Sequence, residues 1–251
     1  MKVSVVTVNL NGNRYLTETL DSVLAQDHRD LEAIVVDGGS TDGSLETIRA
    51  FASRDSRVTW RSEPDLGIAD AMNKGVAMAG GELAAFLHSD DFYPERDVLS
   101  AVVEAVAGRP ETIWLTGGML QVDSHGRELR RFAVRNYSYR WLQRSNILFH
   151  PATFVRTRVL RVNRFDPELQ LAMDYDLWLR LGAMADPLLL SRPLAAFRVH
   201  SGSISSCGAS AALAEEYAVR RRFLKVRGLW RCWYPLDYFA KRLVVGRPFG
   251  H

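Results

Sequence analysis

The sequence predicts an α/β domain built on a mostly parallel sheet flanked by helices. Short apolar runs at residues 3–8, 31–36, 58–61 and 83–87 alternate with stretches of helical spacing, the pattern of βαβ units. Two of these runs end in polar clusters, Asp37-Gly38-Gly39-Ser40-Thr41-Asp42-Gly43 and Ser89-Asp90-Asp91, at the strand ends where open parallel sheets bind ligands. With 251 residues, 47% hydrophobic and 24% charged, the chain has the composition of a globular protein with a proper core.

The elements follow in order. After the strand at 3–8, residues 15–25 have helical spacing through Leu16, Leu20, Val23 and Leu24. The second strand, 31–36, leads through the Asp37–Gly43 turn into a helix carried by Leu45, Ile48 and Phe51. A short strand at 58–61, a helix over 68–79 and a buried strand at 83–87 come next. Pro94 suits the first turn of a helix reaching about residue 107. Beyond it the pattern loosens to a strand at 112–116, a polar hairpin at 121–134 around Ser124-His125-Gly126, a helix at 175–181 and a strand at 193–199. Residues 201–210 are small and polar, a loop or linker before a helix rich in Arg and aromatics. Two units are expected, a body over 1–205 and a basic, aromatic tail over 206–251.

The net charge of +3 is unevenly distributed. From Arg220 onward the chain holds nine of its 32 Lys/Arg but one of its 29 Asp/Glu, so the body is mildly acidic and the tail strongly basic. Trp230, Trp233, Tyr234, Tyr238 and Phe239 interleave with those cations. Such a stretch suits an anionic membrane surface, or equally a helix packing its aromatics on the body. Cys207 and Cys232 match no metal or redox spacing, which points to a reducing compartment. The N-terminus has no signal-peptide pattern and no run reaches the roughly 18 apolar residues of a spanning helix. A cytoplasmic protein, peripheral on the inner face of the membrane if the tail binds lipid, is expected.

Two adjacent carboxylates after a buried strand are costly unless a cation or ligand satisfies them. At Asp90 and Asp91 a divalent metal could carry the diphosphate of an activated sugar, against the alternative of a solvated acidic turn. Asp37 follows strand two, where a carboxylate can accept from a ribose hydroxyl or a base N–H, or merely cap its turn. Asp65 and Asp70 flank Gly67; they read as acids favourably placed at a helix start or as contacts to nucleotide or donor sugar. Asp174 and Asp176 are two apart and point about 200° apart on a helix, so they cannot share one task. Asp176 has Arg180 at i+4 as a partner. Asn9-Leu10-Asn11-Gly12-Asn13-Arg14 lacks the glycine fingerprint of a dinucleotide oxidoreductase. The remaining rival is a non-catalytic membrane- or nucleic-acid-binding module using the tail.

In matching order, Val3-Ser4-Val5-Val6-Thr7-Val8-Asn9, Val35-Val36-Asp37-Gly38-Gly39-Ser40-Thr41-Asp42-Gly43 and Ser89-Asp90-Asp91 resemble the GT-A nucleotide-sugar glycosyltransferases of family 2. The run Ser62-Glu63-Pro64-Asp65-Leu66-Gly67-Ile68-Ala69-Asp70-Ala71-Met72-Asn73-Lys74-Gly75 resembles one bacterial subgroup closely. The resemblance spans roughly residues 3–205. It implies inverting transfer of a sugar from a UDP- or GDP-type donor to a hydroxyl of a glycan or lipid-linked acceptor, usually with Mg²⁺ or Mn²⁺ and with no nucleic-acid partner. It implies Asp91 as direct metal ligand, with Asp90 on the ribose or the metal shell. His200, at the end of the last strand of the body, would complete the metal shell or donate to the diphosphate; a structural role is its other reading. Asp174, in Ala172-Met173-Asp174-Tyr175-Asp176, would be the base, or else a helix cap. Thr7, Asn9, Asp37, Asp65, Asp70 and Asn73 would contact the nucleotide sugar. The sequence departs from the family at Met72, where many relatives carry arginine near the diphosphate. It departs again at Pro151, where glutamine usually follows the histidine at 150, and at His88, where asparagine is common.

Overall fold

A computed structural model describes residues 1–134, 136–200 and 209–223. The strands are β1 Val3–Asn9, β2 Leu31–Asp37, β3 Val58–Ser62, β4 Leu83–Phe86, β5 Trp114–Val122, β6 Glu128–Phe132, β7 Thr153–Arg156 and β8 Leu188–Arg198. The helices are α1 Asn13–Leu24, α2 Ser44–Arg54, α3 Ile68–Met78, α4 Val98–Val106, α5 Tyr139–Leu142, α6 Thr157–Val162, α7 Met173–Gly182 and α8 Ala209–Phe223. One sheet runs β3-β2-β1-β4-β7-β5-β6. β1 to β4 are parallel, β7 pairs antiparallel with both β4 and β5, and β8 lies parallel along β5.

The central strands are apolar at nearly every position because both faces are covered. Val6, Val8, Ile34, Val36, Ala84 and Phe86 join the cluster that also holds residues of α3 and α7. Their neighbours Val5, Ala33, Val35, Ala85 and Leu87 join the opposite cluster with α1, α2 and α4. That odd-even split is the period-two alternation of a strand, with each face filled by a different helix layer.

The elements of the first half form where expected. One start differs: α4 begins at Val98 after Asp97, not at Pro94. Gln26 explains it, donating to the Glu95 carbonyl at 2.7 Å and accepting from the Leu99 N–H at 3.0 Å, so that 94–97 is held as a turn against the end of α1. β5 and β8 run longer than their apolar cores because they pair along most of their length. The expected hairpin is present as β5–β6. β7, too short to carry a pattern, was not foreseen.

Val219 of α8 is fully buried in the same cluster as Leu177 and Leu181 of α7, so α8 is packed on the body. Most of the expected linker and the tail aromatics from Trp230 to Phe239 lie outside the described residues. Among the described residues no helix is long and apolar enough to cross a membrane.

The tightest helix-on-sheet contact is at Gly75 of α3, where an added Cβ would stand 2.3 Å from Val6 Cγ1. Val6 is buried and stiff at χ1, so it cannot yield. Gly75→Ala is expected to destabilise the fold by about 1–3 kcal/mol in urea titration, against a near-neutral change for Gly80→Ala, where an added Cβ would meet nothing closer than 3.5 Å.

Candidate active site

Strand register assembles the first part of the site. Asn9, Asp37 and Ser62 are aligned partners at the carboxyl ends of β1, β2 and β3. Asn9 Nδ2 donates to Asp37 Oδ1 at 2.8 Å and Ser62 Oγ to Asp37 Oδ2 at 2.7 Å. Ser40 Oγ and the N–H groups of Gly39 and Ser40 also donate to Asp37. Burial pushes the Asp37 carboxyl up, but the hydrogen bonds from Ser40, Ser62 and Asn9 outweigh it and hold it below the usual range. Asp37 is therefore an ionised, buried hub that shapes the loop after β2.

Four loops meet around this hub. An added Cβ on Gly12 would fall 2.4 Å from Ser89 Oγ and 2.5 Å from Asn9 Oδ1; one on Gly38 would fall 2.5 Å from Asp65 Oδ2. Only glycine permits so close an approach. Asn11, held at φ 53°, accepts from the Thr41 N–H and donates its own N–H to Ser40 Oγ. Thr7 is buried two residues deeper along β1, and Thr7 Oγ1 and Asn9 Oδ1 have no hydrogen-bond partner among the described residues.

Asp65 accepts the Gly67 N–H at 2.9 Å and turns its other oxygen toward Gly38, at the rim. Asp70 instead reaches back to the Leu66 N–H and pairs with Lys74 at 2.9 Å. The Lys74 bond holds its carboxyl below the usual range. Asn73 uses both ends of its amide on the backbone of Phe165, at 2.9 and 3.0 Å, and is buried. It ties α3 to the segment before α7. Met72 is buried in the core.

At the end of β4 the two acids part company. Asp91 is 1% exposed; its Oδ1 accepts the Arg198 N–H at 3.1 Å, and its carbonyl accepts Thr19 Oγ1 at 2.7 Å. Burial and the neighbouring Asp90 charge raise its carboxyl well above the usual range, against the pull of Arg198. Asp91 Oδ2 has no hydrogen-bond partner among the described residues. Asp90 stays half-buried at the rim, where its Oδ2 lies 3.1 Å from His200 Nε2. Asp90, not Asp91, meets His200 in this structure, while the Arg198 backbone holds Asp91 Oδ1 inward.

Arg198, which sequence reasoning passed over, fixes this corner. Fully buried, it donates to the Asp90 carbonyl at 3.0 Å, pairs with Glu18 at 2.5 Å and lies over the Tyr15 ring at 4.5 Å. Glu18 was missed for the same reason: its partner is 180 residues away.

Asp174 sits in the first turn of α7, partly exposed. Asn146 Nδ2 donates to it at 3.3 Å and the Tyr175 N–H at 2.6 Å. Burial pushes its carboxyl up to about 6, against the lowering influence of Tyr175, Asn146 and the Trp178 indole. Asp176 is buried on another side and pairs with Arg180 at 2.9 Å, as the i+4 spacing suggests. A ladder of rings joins α7 to the β4 rim. Trp178 lies 6.0 Å from His150, and His150 stacks on His88 at 5.1 Å and 19°. His88, which departs from the family pattern, and His150, which precedes the departure at Pro151, are thus each other's partner. Burial lowers both imidazoles, His150 further through its charged-form repulsion with His88, so both are neutral at pH 7.

A concavity of about 1240 Å³ lies elsewhere, along α1 and residues 93–97, and is lined by paired charges such as Arg192 and Asp97. Asp37, Asp90 and Asp174 do not line it. Among the described residues no group of three or more His, Cys, Asp or Glu is poised to hold a cation. The rim nonetheless fits one that a ligand helps to hold: it offers a carboxylate and an imidazole, and a hard cation completes its shell with phosphate oxygens and water.

The profile of the family described as Glycosyl transferase family 2 matches residues 4–167. An uncharacterized glycosyltransferase of Mycobacterium tuberculosis, Rv1514c, is 33% identical over 198 residues, covering 78% of this chain and 74% of its own. A PGL/p-HBAD biosynthesis glycosyltransferase of Mycobacterium bovis is 29% identical over 199 residues, covering 75% and 72%. Among solved structures, S. aureus TarS 1-349 in complex with UDP-GlcNAc superposes with a TM-score of 0.68 at 19% identity, covering 97% of this chain and 72% of that one. The mannosyltransferase PcManGT of Pyrobaculum calidifontis, in complex with GDP-Man and Mn²⁺, gives 0.67 at 21%, covering 96% and 69%. The sheet and its flanking helices are the GT-A arrangement of these structures. The chain belongs to glycosyl transferase family 2 and is a glycosyltransferase.

Proposed function

We propose that this enzyme transfers a sugar, with inversion, from a UDP- or GDP-linked donor to a hydroxyl of a glycan or lipid-linked acceptor. The observation that carries the reading is the placement of Asp174. Its raised carboxyl stands at the start of a helix whose Trp178 is linked through His150 to His88, two residues before Asp90. The donor side and a candidate base thus share one neighbourhood. The titles of TarS and PcManGT, which name UDP-GlcNAc and GDP-Man with Mn²⁺, support a nucleotide-sugar donor and a divalent cation. The relative named for PGL/p-HBAD biosynthesis is consistent with a lipid-linked acceptor.

The loops around Asp37 hold the nucleoside, with Thr7, Asn9 and Asp65 the polar groups nearest that rim. Asp90 and His200 would hold the cation, while Asp91 braces the corner from beneath. Mg²⁺ or Mn²⁺ held there would supply positive charge against the departing diphosphate, a need sharpened by Met72 standing in place of an arginine. Asp174 accepts the acceptor's hydroxyl proton as the oxygen bonds to the anomeric carbon. The bond from that carbon to the diphosphate oxygen breaks, and the nucleoside diphosphate leaves with the electron pair. Asn146 orients Asp174 through the hydrogen bond already described. A carboxyl near 6 is mostly ionised at pH 7 yet more basic than an ordinary aspartate, which suits a general base. The basic, aromatic residues beyond 223 would bring the enzyme to an anionic membrane surface where lipid-linked acceptors reside.

With Mn²⁺ and UDP-GlcNAc or GDP-Man, release of UDP or GDP should rise with pH and level off above an apparent pKa near 6. Asp174→Asn should lower kcat by roughly 10²–10⁴-fold and remove that limb. The same substitution should raise Tm at neutral pH. A carboxyl raised on folding favours the fold below its unfolded value of about 3.9 and loses that contribution as pH climbs through 6. Activity that survives Asp174→Asn, or a flat profile from pH 5 to 8 (a range of about three units), would exclude Asp174 as base.

A further inference from the structure

The approach to α7 is gripped from outside by α8. Glu215 accepts three consecutive backbone N–H groups, those of Gln170 at 2.9 Å, Leu171 at 2.5 Å and Ala172 at 2.6 Å. Ala172 is the N-cap of α7 and offers no side-chain cap of its own. The unpaired donors of a helix start and its lead-in are therefore satisfied from another helix. Two turns along α8, Arg222 pairs with Asp166 at 2.8 Å and reaches Asp176 at 3.7 Å, while Val219 between them is buried. Residues 215, 219 and 222 share one face of α8 at i, i+4 and i+7 spacing. That face brackets the segment 166–176, with Asp174 inside it.

The other side of the segment touches the donor loops. Asn73 holds the backbone of Phe165, and an added Cβ on Gly67 would stand 3.0 Å from Gln170 Oε1. The lead-in to Asp174 is thus pinned between the loop after β3 and a carboxylate from α8. Removing that carboxylate leaves three backbone donors without acceptors, ending two residues before Asp174. The lead-in then shifts to find water, and the first turn of α7 shifts with it.

We propose that Glu215 is a positioning residue for Asp174: its carboxylate fixes the lead-in of α7, so that the base stands at the distance from donor and acceptor that the reaction requires. The proposal rests on the reading of Asp174 as base. Displacements of about 1 Å at a reacting group can cost on the order of 10²-fold in rate while leaving binding of distant groups intact. Glu215 is therefore expected to act on kcat and not on capture of the nucleotide.

The test uses the full chain with Glu215→Ala and the near-isosteric Glu215→Gln, which keeps one carbonyl acceptor. Mn²⁺-dependent hydrolysis of UDP-GlcNAc and GDP-Man supplies kcat and KM, the Tm shift given by UDP or GDP reports nucleotide capture, and amide exchange over 170–176 reports the lead-in. The expected result is a kcat lowered by about tenfold or more in Glu215→Ala and by less in Glu215→Gln, with KM and the nucleotide-induced shift within about twofold of wild type. Exchange should quicken over 170–172 first. A kcat within about twofold of wild type in Glu215→Ala overturns the proposal, and so does a parallel loss of kcat and nucleotide-induced shift in both variants, which marks general destabilisation. Asp174→Asn separates the two readings. If it is inactive while Glu215→Ala is normal, the clamp alone fails; if it is active, the base and the clamp fail together.

Discussion

The rim depends on one buried contact, between the Asp91 carboxylate and the backbone of Arg198. The contact spans 107 residues of sequence and fastens the end of β8 to the turn after β4. The Arg198 guanidinium completes it by taking the Asp90 carbonyl and the Glu18 carboxylate. Together with the backbone bridge between Phe92 and Ala196, this fastening brings His200, two residues beyond Arg198, to Asp90. The pair is costly on its own terms, since burial of a carboxyl and a guanidinium is offset only by good geometry. Its value is placement: one acid is held inside so that the other can face outward.

That distinction was invisible in the sequence. Asp90 and Asp91 are adjacent, equally acidic and preceded by the same strand, and only a partner far along the chain decides which turns in. Arg198, Glu18, Asn146 and Glu215 were passed over for the same reason: each looks like an ordinary charged or polar residue until its distant partner is known. The parallel sheet was legible because β1, β2 and β4 must be apolar on both faces, and short runs between helical stretches have few alternative packings. Asp37 was legible as a strand-end acid that contacts a nucleotide or caps its turn; its donors were not. It receives donors from Asn9, Gly39, Ser40 and Ser62, so it shapes the loop that a nucleoside would meet. β7 was not legible, being four residues long and recognisable only through its pairing with β4 and β5.

The acceptor half is organised by rings and by α8 more than by the sheet. Trp178 stacks on Trp114 at 5.7 Å and contacts His150, which stacks in turn on His88. His88 stands where the family commonly carries asparagine, and its ring gives the histidine at 150 a face to lie on. Pro151, the neighbouring departure, is the second residue of the short 3-10 turn over His150–Ala152 that presents His150 to the ladder. Asp174, the proposed base, thus begins the helix that carries this aromatic ladder, while its hydrogen-bonding neighbours, Asn146 and Tyr175, set its direction.

The central claim is that Asp90 and His200 share a cation with the diphosphate of the donor. Calorimetric titration of UDP and of GDP, with and without Mn²⁺, tests it directly when wild type, Asp90→Ala and Asp91→Asn are compared. The account predicts uptake of one of the two nucleotides that requires Mn²⁺, disappears in Asp90→Ala and persists in Asp91→Asn. Uptake indifferent to Mn²⁺, or Mn²⁺-dependent uptake that survives Asp90→Ala, would contradict it.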